Sequence, residues 1–249
     1  MPKKDSKKAK KRIDIKENQS GAKKLSMMDI IEEGDLAEND MVAGEYALFR
    51  QQIETPMVQL RYEYAIHVLQ ARLRMMNAEL TEENHRQVIR SMTSRIKATD
   101  SIIKKLLKKE REVTFKTAVE TLNDIAGIRV VCYFCDDIYL IAEALRHQSD
   151  LRIIKEKDYV KNPKKSGYQS IHLIVGVPVT YNEDTSEVRV EVQIRSFAMD
   201  YWAELDTQMC YKKSAGQILN VERETRDYSD VIAKVDNKML ELRRRIEKM

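Results

Sequence analysis

Eight consecutive residues constrain this chain more than any other stretch: Val188-Arg189-Val190-Glu191-Val192-Gln193-Ile194-Arg195 alternates aliphatic and polar side chains without a break. In an extended strand successive side chains point to opposite sides, so Val188, Val190, Val192 and Ile194 share one face and Arg189, Glu191, Gln193 and Arg195 the other. A parallel strand covered on both faces would be apolar throughout. The pattern therefore predicts a sheet with one packed face and one open face, most simply a half-exposed antiparallel strand. Other segments repeat the arrangement. Arg95 and Lys97 flank Ile96, and Arg129 interrupts the β-rich run Ile128 to Phe134. Strands that offer several cations and one carboxylate to a common concave surface suit a polyphosphate, because each guanidinium can hold two phosphate oxygens or stack on a base.

Helices accompany these strands. Seven glycines and four prolines in 249 residues are too few for a turn-rich all-β sandwich, and 43% hydrophobic with 34% charged residues allow a core under a strongly solvated surface. A globular, helix-leaning chain is expected. From Ala43 the pattern is helical, with Tyr46, Phe49 and Ile53 in one stripe. Thr55-Pro56 then reads as a cap and first helical residue of a helix, or a kinked continuation, whose apolar side runs through Met57, Leu60, Tyr64, Val68 and Ala71 to about Leu80. Strands are predicted at 86–97, 125–134, 151–157, 169–179 and 187–195. Further helices are predicted at 100–110, from a cap at Asp136-Asp137 to His147, and over 196–212. Tyr228, Val231, Val235, Met239, Leu242, Ile246 and Met249 recur in steps of three and four, which makes 217–249 a long amphipathic helix. The domain so organised spans 41–249, with a helical part at 41–80, a core at 86–212 and the C-terminal helix.

Residues 1–24 carry ten lysines and arginines against three acids, and residues 29–40 six acids and no base, although the whole chain is only +4. With few apolar residues to offset ordering entropy, 1–40 is expected to be a disordered charged tail. A solvated tail is the plainer reading; a tether for RNA or another partner is the functional one. No apolar run approaches the ~20 residues that span a bilayer, and the basic start lacks a signal peptide's apolar stretch. A cytosolic chain without membrane contact is expected.

The loop Lys161-Asn162-Pro163-Lys164-Lys165-Ser166-Gly167-Tyr168-Gln169-Ser170 joins two predicted strands. Its amides around Gly167, its hydroxyls and its lysines could face a phosphate, and Tyr168 offers a ring for stacking. A lysine-bearing surface turn is the plainer account, and the Walker spacing is absent. Asp124 and Glu191 are the carboxylates available for Mg²⁺, whose remaining ligands would be phosphate oxygens and water. Cys132-Tyr133-Phe134-Cys135 matches C-x-x-C, but no second pair exists, and strand alternation would separate the two thiols. The sequence contains no G-x-S-x-G, no H-E-x-x-H and no His-Asp dipeptide.

In order along the chain, Ser94-Arg95-Ile96-Lys97, Ser101, Asp124-Ile125-Ala126-Gly127-Ile128-Arg129, Ser166-Gly167-Tyr168-Gln169-Ser170-Ile171-His172 and Glu191-Val192-Gln193-Ile194-Arg195 resemble the synthetase domain of the Rel/SpoT alarmone family. The resemblance covers roughly 45–245, and the length is similar to that of the small alarmone synthetases. It implies an α/β (α+β) fold, a mixed sheet flanked by helices and related to nucleotidyltransferases, that with Mg²⁺ transfers pyrophosphate from ATP to the 3′-OH of GTP or GDP, giving AMP and (p)ppGpp. The missing His-Asp motif implies a synthetase without the family's hydrolase. By resemblance, Arg95 and Arg129 would sandwich adenine, Lys97, Ser101 and Lys105 would hold ATP phosphates, and Asp124 and Glu191 would hold Mg²⁺. Tyr168 would stack on guanine, and Lys165, His172, Gln193 and Arg195 would line the acceptor pocket. Glu191 is also the candidate for helping to deprotonate the 3′-hydroxyl. Asp200 is an acid that could accept from guanine N1–H and N2–H₂. Thr207 and Cys210 stand where the family commonly has His and Asn.

Two other function classes fit the sequence: an RNA-binding or regulatory protein that keeps the fold without turnover, and a nucleotidyltransferase with another acceptor. The joint presence of Arg95, Asp124, Tyr168, Glu191 and Gln193 speaks against the first, since RNA binding alone needs no such set. The stripe from Tyr228 to Met249 and the helices at 44–80 offer more apolar surface than one small sheet covers, so a homo-oligomer is expected, a tetramer by resemblance.

Overall fold

The computed structural model describes residues 40–210 and 215–249. The expected tail, 1–40, lies outside the described residues except for Asp40, which opens the first helix. In chain order the elements are α1 (Asp40–Ile53), α2 (Pro56–Asn84), β1 (Ile89–Ile96), α3 (Thr99–Lys108), α4 (Phe115–Thr121), β2 (Ala126–Cys132), α5 (Asp137–Arg146), β3 (Arg152–Asp158), β4 (Ile171–Tyr181), β5 (Asp184–Ser196), α6 (Phe197–Cys210) and α7 (Ala215–Ile246). Each predicted element is present. The short helix α4, capped by Thr114 through the amide of Thr117, was not anticipated.

The five strands form one mixed sheet in the order β1-β2-β5-β4-β3. Pairing is antiparallel except between β2 and β5. This corrects the simplest reading of the alternating strand: β5 is central and runs parallel to β2. It alternates because helices cover only one of its faces. Val190, Val192 and Ile194 are fully buried, and they pack with Ile128, Val130, Leu173 and Val175 of the neighbouring strands and with Leu69, Leu73, Ile138 and Ile141 of α2 and α5. Side chains of this size contribute roughly 1.5–3 kcal/mol each when buried.

The apolar side assigned to α2 is corrected as well. Met57, Leu60 and Tyr64 are exposed, and the buried stripe is Tyr62, Ala65, Ile66, Leu69, Leu73 and Met76. Both stripes have helical spacing, but only the second continues for four turns with large aliphatics, and that is the one the sheet takes. Thr55 precedes α2 without capping it, since its hydroxyl donates back to the Gln51 carbonyl. Asp136 likewise makes no cap; its carboxylate receives Arg243 and Arg244 of α7 instead.

α6 and α7 close the end of the sheet where β5 stops. The indole of buried Trp202 on α6 donates to the Thr225 carbonyl of α7 at 2.8 Å, and the Ser196 hydroxyl donates to Asp236 at 2.5 Å. The side of α7 turned to the protein is thus unusually polar. Its apolar stripe, from Tyr228 through Val231, Val235, Met239, Leu242 and Ile246, is 41–60% exposed. No helix among the described residues is long and apolar enough to cross a membrane.

Candidate active site

Register alone assembles the open face of the sheet. Directly opposed residues of neighbouring strands project to the same side, so the pairing makes two rows: Arg95, Gly127, Glu191, Ile174 and Lys155 in one, and Thr93, Arg129, Gln193, His172 and Lys157 in the other. Gly127 leaves a gap between Arg95 and Glu191. The rows form the floor of two adjoining cavities. One is lined by Arg95, Arg129, Gln193 and the backbone around Gly127; the other by Lys105, Lys109, Lys155, Lys157 and His172. Asp124 and Glu191 line both.

Asp124 reaches this boundary from the turn before β2. Its Oδ2 receives Lys97 at 2.7 Å and Lys105 at 2.6 Å, while Oδ1 is buried without a hydrogen-bond partner among the described residues. Burial pushes its carboxyl up, but the hydrogen bonds and charges of Lys105 and Lys97 outweigh that and hold it below the ordinary 3.8. Burial likewise raises Glu191, and the His172 imidazole and the Gln193 amide more than compensate, so it too lies below its ordinary value. Both carboxylates are therefore anionic at neutral pH.

Glu191 belongs to a closed ring of hydrogen bonds. Arg195 Nη2 donates to Tyr168 Oη at 2.9 Å and to Gln193 Oε1 at 2.8 Å, and Gln193 Nε2 donates to Glu191 Oε2 at 2.8 Å. His172 Nδ1 lies 3.0 Å from Glu191 Oε1, and its Nε2 2.7 Å from Tyr168 Oη. A carboxylate can only accept, so Nδ1 carries the proton toward Glu191, and in the neutral ring the tyrosine hydroxyl then donates to Nε2. Five side chains from β4, β5 and the preceding loop thus fix one another.

Other candidates have different settings. Arg195 is 4% exposed and donates through Nη1 to Asp200 Oδ1 at 3.2 Å; Arg129 lies 3.6 Å from the same oxygen and 3.2 Å from Glu204. Asp200 is thereby occupied by two arginines. Ser101 and Lys165 are exposed and line neither cavity. The loop lysine that lies on the Tyr168 ring is Lys164, at 4.4 Å. Gly167 offers no phosphate cradle, since its amide donates to the Lys164 carbonyl at 2.8 Å and its own carbonyl receives Ser229. The Thr207 hydroxyl donates to the Ala203 carbonyl within α6. The sequence reading missed Lys109, Lys155 and Lys157. The signal for the last two was the period-2 run Lys155-Glu156-Lys157, which becomes informative only with the β3–β4 register.

Residues 94–216 match the model of a region found in RelA/SpoT proteins. The GTP pyrophosphokinase YwaC of Bacillus subtilis is 35% identical over 188 residues, which span 76% of this chain and 90% of that protein. The chain belongs to the RelA/SpoT family. A second Bacillus subtilis member, the GTP pyrophosphokinase YjbM, is 31% identical over 75% of this chain and 87% of its own length. Among solved structures of the family, small alarmone synthetase 1 from Bacillus subtilis bound to its product pppGpp superimposes with a TM-score of 0.68 at 30% identity, covering 76% of this chain and 95% of that one. The matched RelA/SpoT region begins at Ser94 and so takes in the open face described above, from Arg95 to Arg195, with Thr93 just outside it.

Proposed function

We infer that this chain is a GTP pyrophosphokinase that moves the β,γ-pyrophosphoryl group of ATP to the 3′-hydroxyl of GTP or GDP, giving AMP and (p)ppGpp. The observation that carries this reading is the pair of adjoining cavities with Asp124 and Glu191 shared between them: a two-substrate transfer needs two pockets meeting at one reactive point. The cavity with Arg95 and Arg129 suits the adenine nucleotide, since planar guanidiniums stack on a base. The lysine-lined cavity beside His172 suits the acceptor's phosphates, and Tyr168 suits guanine. In the transfer the acceptor 3′-oxygen bonds to the β-phosphorus and the bond from that phosphorus to the α–β bridging oxygen breaks. AMP departs with the electron pair, and the hydroxyl proton passes to Glu191 or water. Lys97 and Lys105, both held by Asp124 at the boundary of the two cavities, would neutralise the transferring phosphates, and the hydrogen-bonded ring keeps Glu191 in one orientation.

Asp124 and Glu191 are the residues that would hold Mg²⁺. The buried, unpartnered Asp124 Oδ1 fits that role, and so does the hard-oxygen donor set. Among the described residues no cluster of three or more side-chain ligands exists, so phosphate oxygens and water would complete the coordination. Bound there, the ion would offset charge on the transferring phosphates.

The deciding experiment incubates the purified chain with ATP labelled in its terminal phosphates and GTP, GDP, GMP or no acceptor, and separates products by thin-layer chromatography. Acceptor-dependent label on GTP or GDP is expected; label that appears on no guanine nucleotide overturns the reading. Tyr168→Ala should raise the acceptor KM by roughly 5- to 150-fold, the range that base–aromatic stacking spans on alanine substitution. The KM for ATP should stay near wild type, because Arg95 and Arg129 line the other cavity. Equal shifts in both values would show that Tyr168 only packs its loop, where it meets Tyr159 and His172 edge-on.

We also propose that the chain assembles as a homo-oligomer, a tetramer by resemblance to small alarmone synthetases. The exposed stripe of α7 and the exposed Leu48, Leu60 and Tyr64 of α1 and α2 support it. Light scattering at micromolar concentration should give a mass well above 29.1 kDa, and a monomer alone would refute the proposal.

A further inference from the structure

The loop that carries Tyr168 is fastened by the C-terminal helix. Ser229 on α7, 4% exposed, donates from Oγ to the Gly167 carbonyl at 2.6 Å. Three residues earlier on the same helix face, Arg226 Nη1 donates to the Lys165 carbonyl at 3.2 Å. Gly167 has φ +91°, and a Cβ on it would lie 2.6 Å from the Ser229 Cβ and 3.3 Å from the Arg226 Cα. The contact is thus close on both sides: only glycine adopts that backbone without strain, and only glycine leaves room for the serine. Inside the loop the Gly167 amide donates to the Lys164 carbonyl at 2.8 Å and the Lys164 amide to the Tyr168 carbonyl at 3.1 Å. What holds Gly167 therefore holds Lys164 and Tyr168. α7 is itself tied down on either side of this grip by Trp202 at Thr225 and by Ser196 at Asp236.

We infer that Ser229, with Arg226, is a positioning residue of the acceptor site, acting through Gly167 on the loop that presents Tyr168. This rests on the acceptor reading of that loop given above. Neither residue lines the two cavities, and Arg95 and Arg129 stand on strands at the far side of β5 from the loop. Acceptor binding is therefore sensitive to α7 while ATP binding is not.

The test pairs kinetics with hydrogen exchange on the ligand-free chain. Ser229→Ala removes the hydroxyl and keeps the Cβ; the acceptor KM should rise about 2- to 10-fold, as expected for one lost hydrogen bond, with the ATP KM unchanged. Amides of 164–168 should exchange faster in that variant while β2 and β5 keep their protection. Ser229→Thr, which retains the hydroxyl, should restore both readouts toward wild type. If Ser229→Ala fails to fold, Arg226→Ala carries the same two measurements, since that side chain is 45% exposed and its loss leaves no cavity. Equal changes in both KM values, or unchanged exchange in the loop, overturn the inference. A wild-type chain that makes no product would instead sink the synthetase reading, and the exchange measurement would still decide whether α7 holds the loop.

Discussion

Replacing Asp124 by Asn, or Glu191 by Gln, should slow pyrophosphoryl transfer by more than about 100-fold while the chain stays folded. Removing a group that merely orients a metal ligand typically costs about 10- to 100-fold, and these two carboxylates are the proposed ligands themselves. The local geometry points the same way. Asp124 Oδ2 is the anion between Lys97 and Lys105, so a neutral amide leaves two ammonium groups facing each other at the boundary of the cavities. Glu191 accepts from His172 at one oxygen and from Gln193 at the other. A glutamine there sets an NH₂ donor against one of those donors and breaks the ring. Steady-state rates with both nucleotides saturating, alongside circular dichroism of each variant, check this. A folded variant at wild-type rate would remove that carboxylate from the site.

The largest loss of stability should come from a place far from the cavities. Asp137 is fully buried at the start of α5 and receives Arg86 through two nitrogens, at 2.6 and 3.0 Å, as well as the Phe134 amide at 3.2 Å. Arg86→Ala leaves that carboxylate in the core with Arg243, 3.7 Å from its Oδ1, as the remaining cation, and should cost up to about 3–5 kcal/mol, the usual penalty for breaking a buried pair from one side. For a chain of this size that is a fall in melting temperature of about 6–20 °C. Burial already raises the Asp137 carboxyl above its ordinary 3.8, against the opposing effect of Arg86, and removing the arginine raises it further. An acid whose folded value is raised favours the folded state at low pH and loses that advantage as pH rises through the folded value. The deficit of Arg86→Ala should therefore be larger at pH 8 than at pH 5, by thermal or denaturant melts of both proteins. A pH-independent difference would show that lost packing on Phe134, which the Arg86 guanidinium overlies at 5.4 Å, outweighs the stranded charge.

The alternation in β5 predicted which side chains face the core and which face the cleft, because a period of two is imposed by backbone geometry wherever the strand sits. It did not reveal the strand's neighbours. A vacant cleft face lets a central strand with a parallel partner look like an exposed antiparallel one. The stripe assigned to α2 failed for a related reason: a helix with apolar residues on two sides does not announce which side the sheet will cover. Arg95, Arg129, Asp124 and Glu191 were legible because motif and spacing single them out, whereas Lys155 and Lys157 join them only through cross-strand register. Asp200 shows the converse. As an acid it could accept from guanine, and nothing in its sequence neighbourhood shows that the fold brings both Arg195 and Arg129 to the same oxygen.

Trp202 is the only tryptophan in the sequence, and its indole sits at the junction of α6 and α7 with its N–H on the Thr225 carbonyl. Intrinsic emission excited at the red edge of the ultraviolet band therefore reports on one joint of the molecule. Detachment of α7 would expose the ring to water and shift its emission to longer wavelength, even with the five-stranded sheet still intact. An unfolding curve followed by fluorescence would then run ahead of one followed by far-ultraviolet circular dichroism, and the gap between the two midpoints would measure how loosely the C-terminal helix is coupled to the rest.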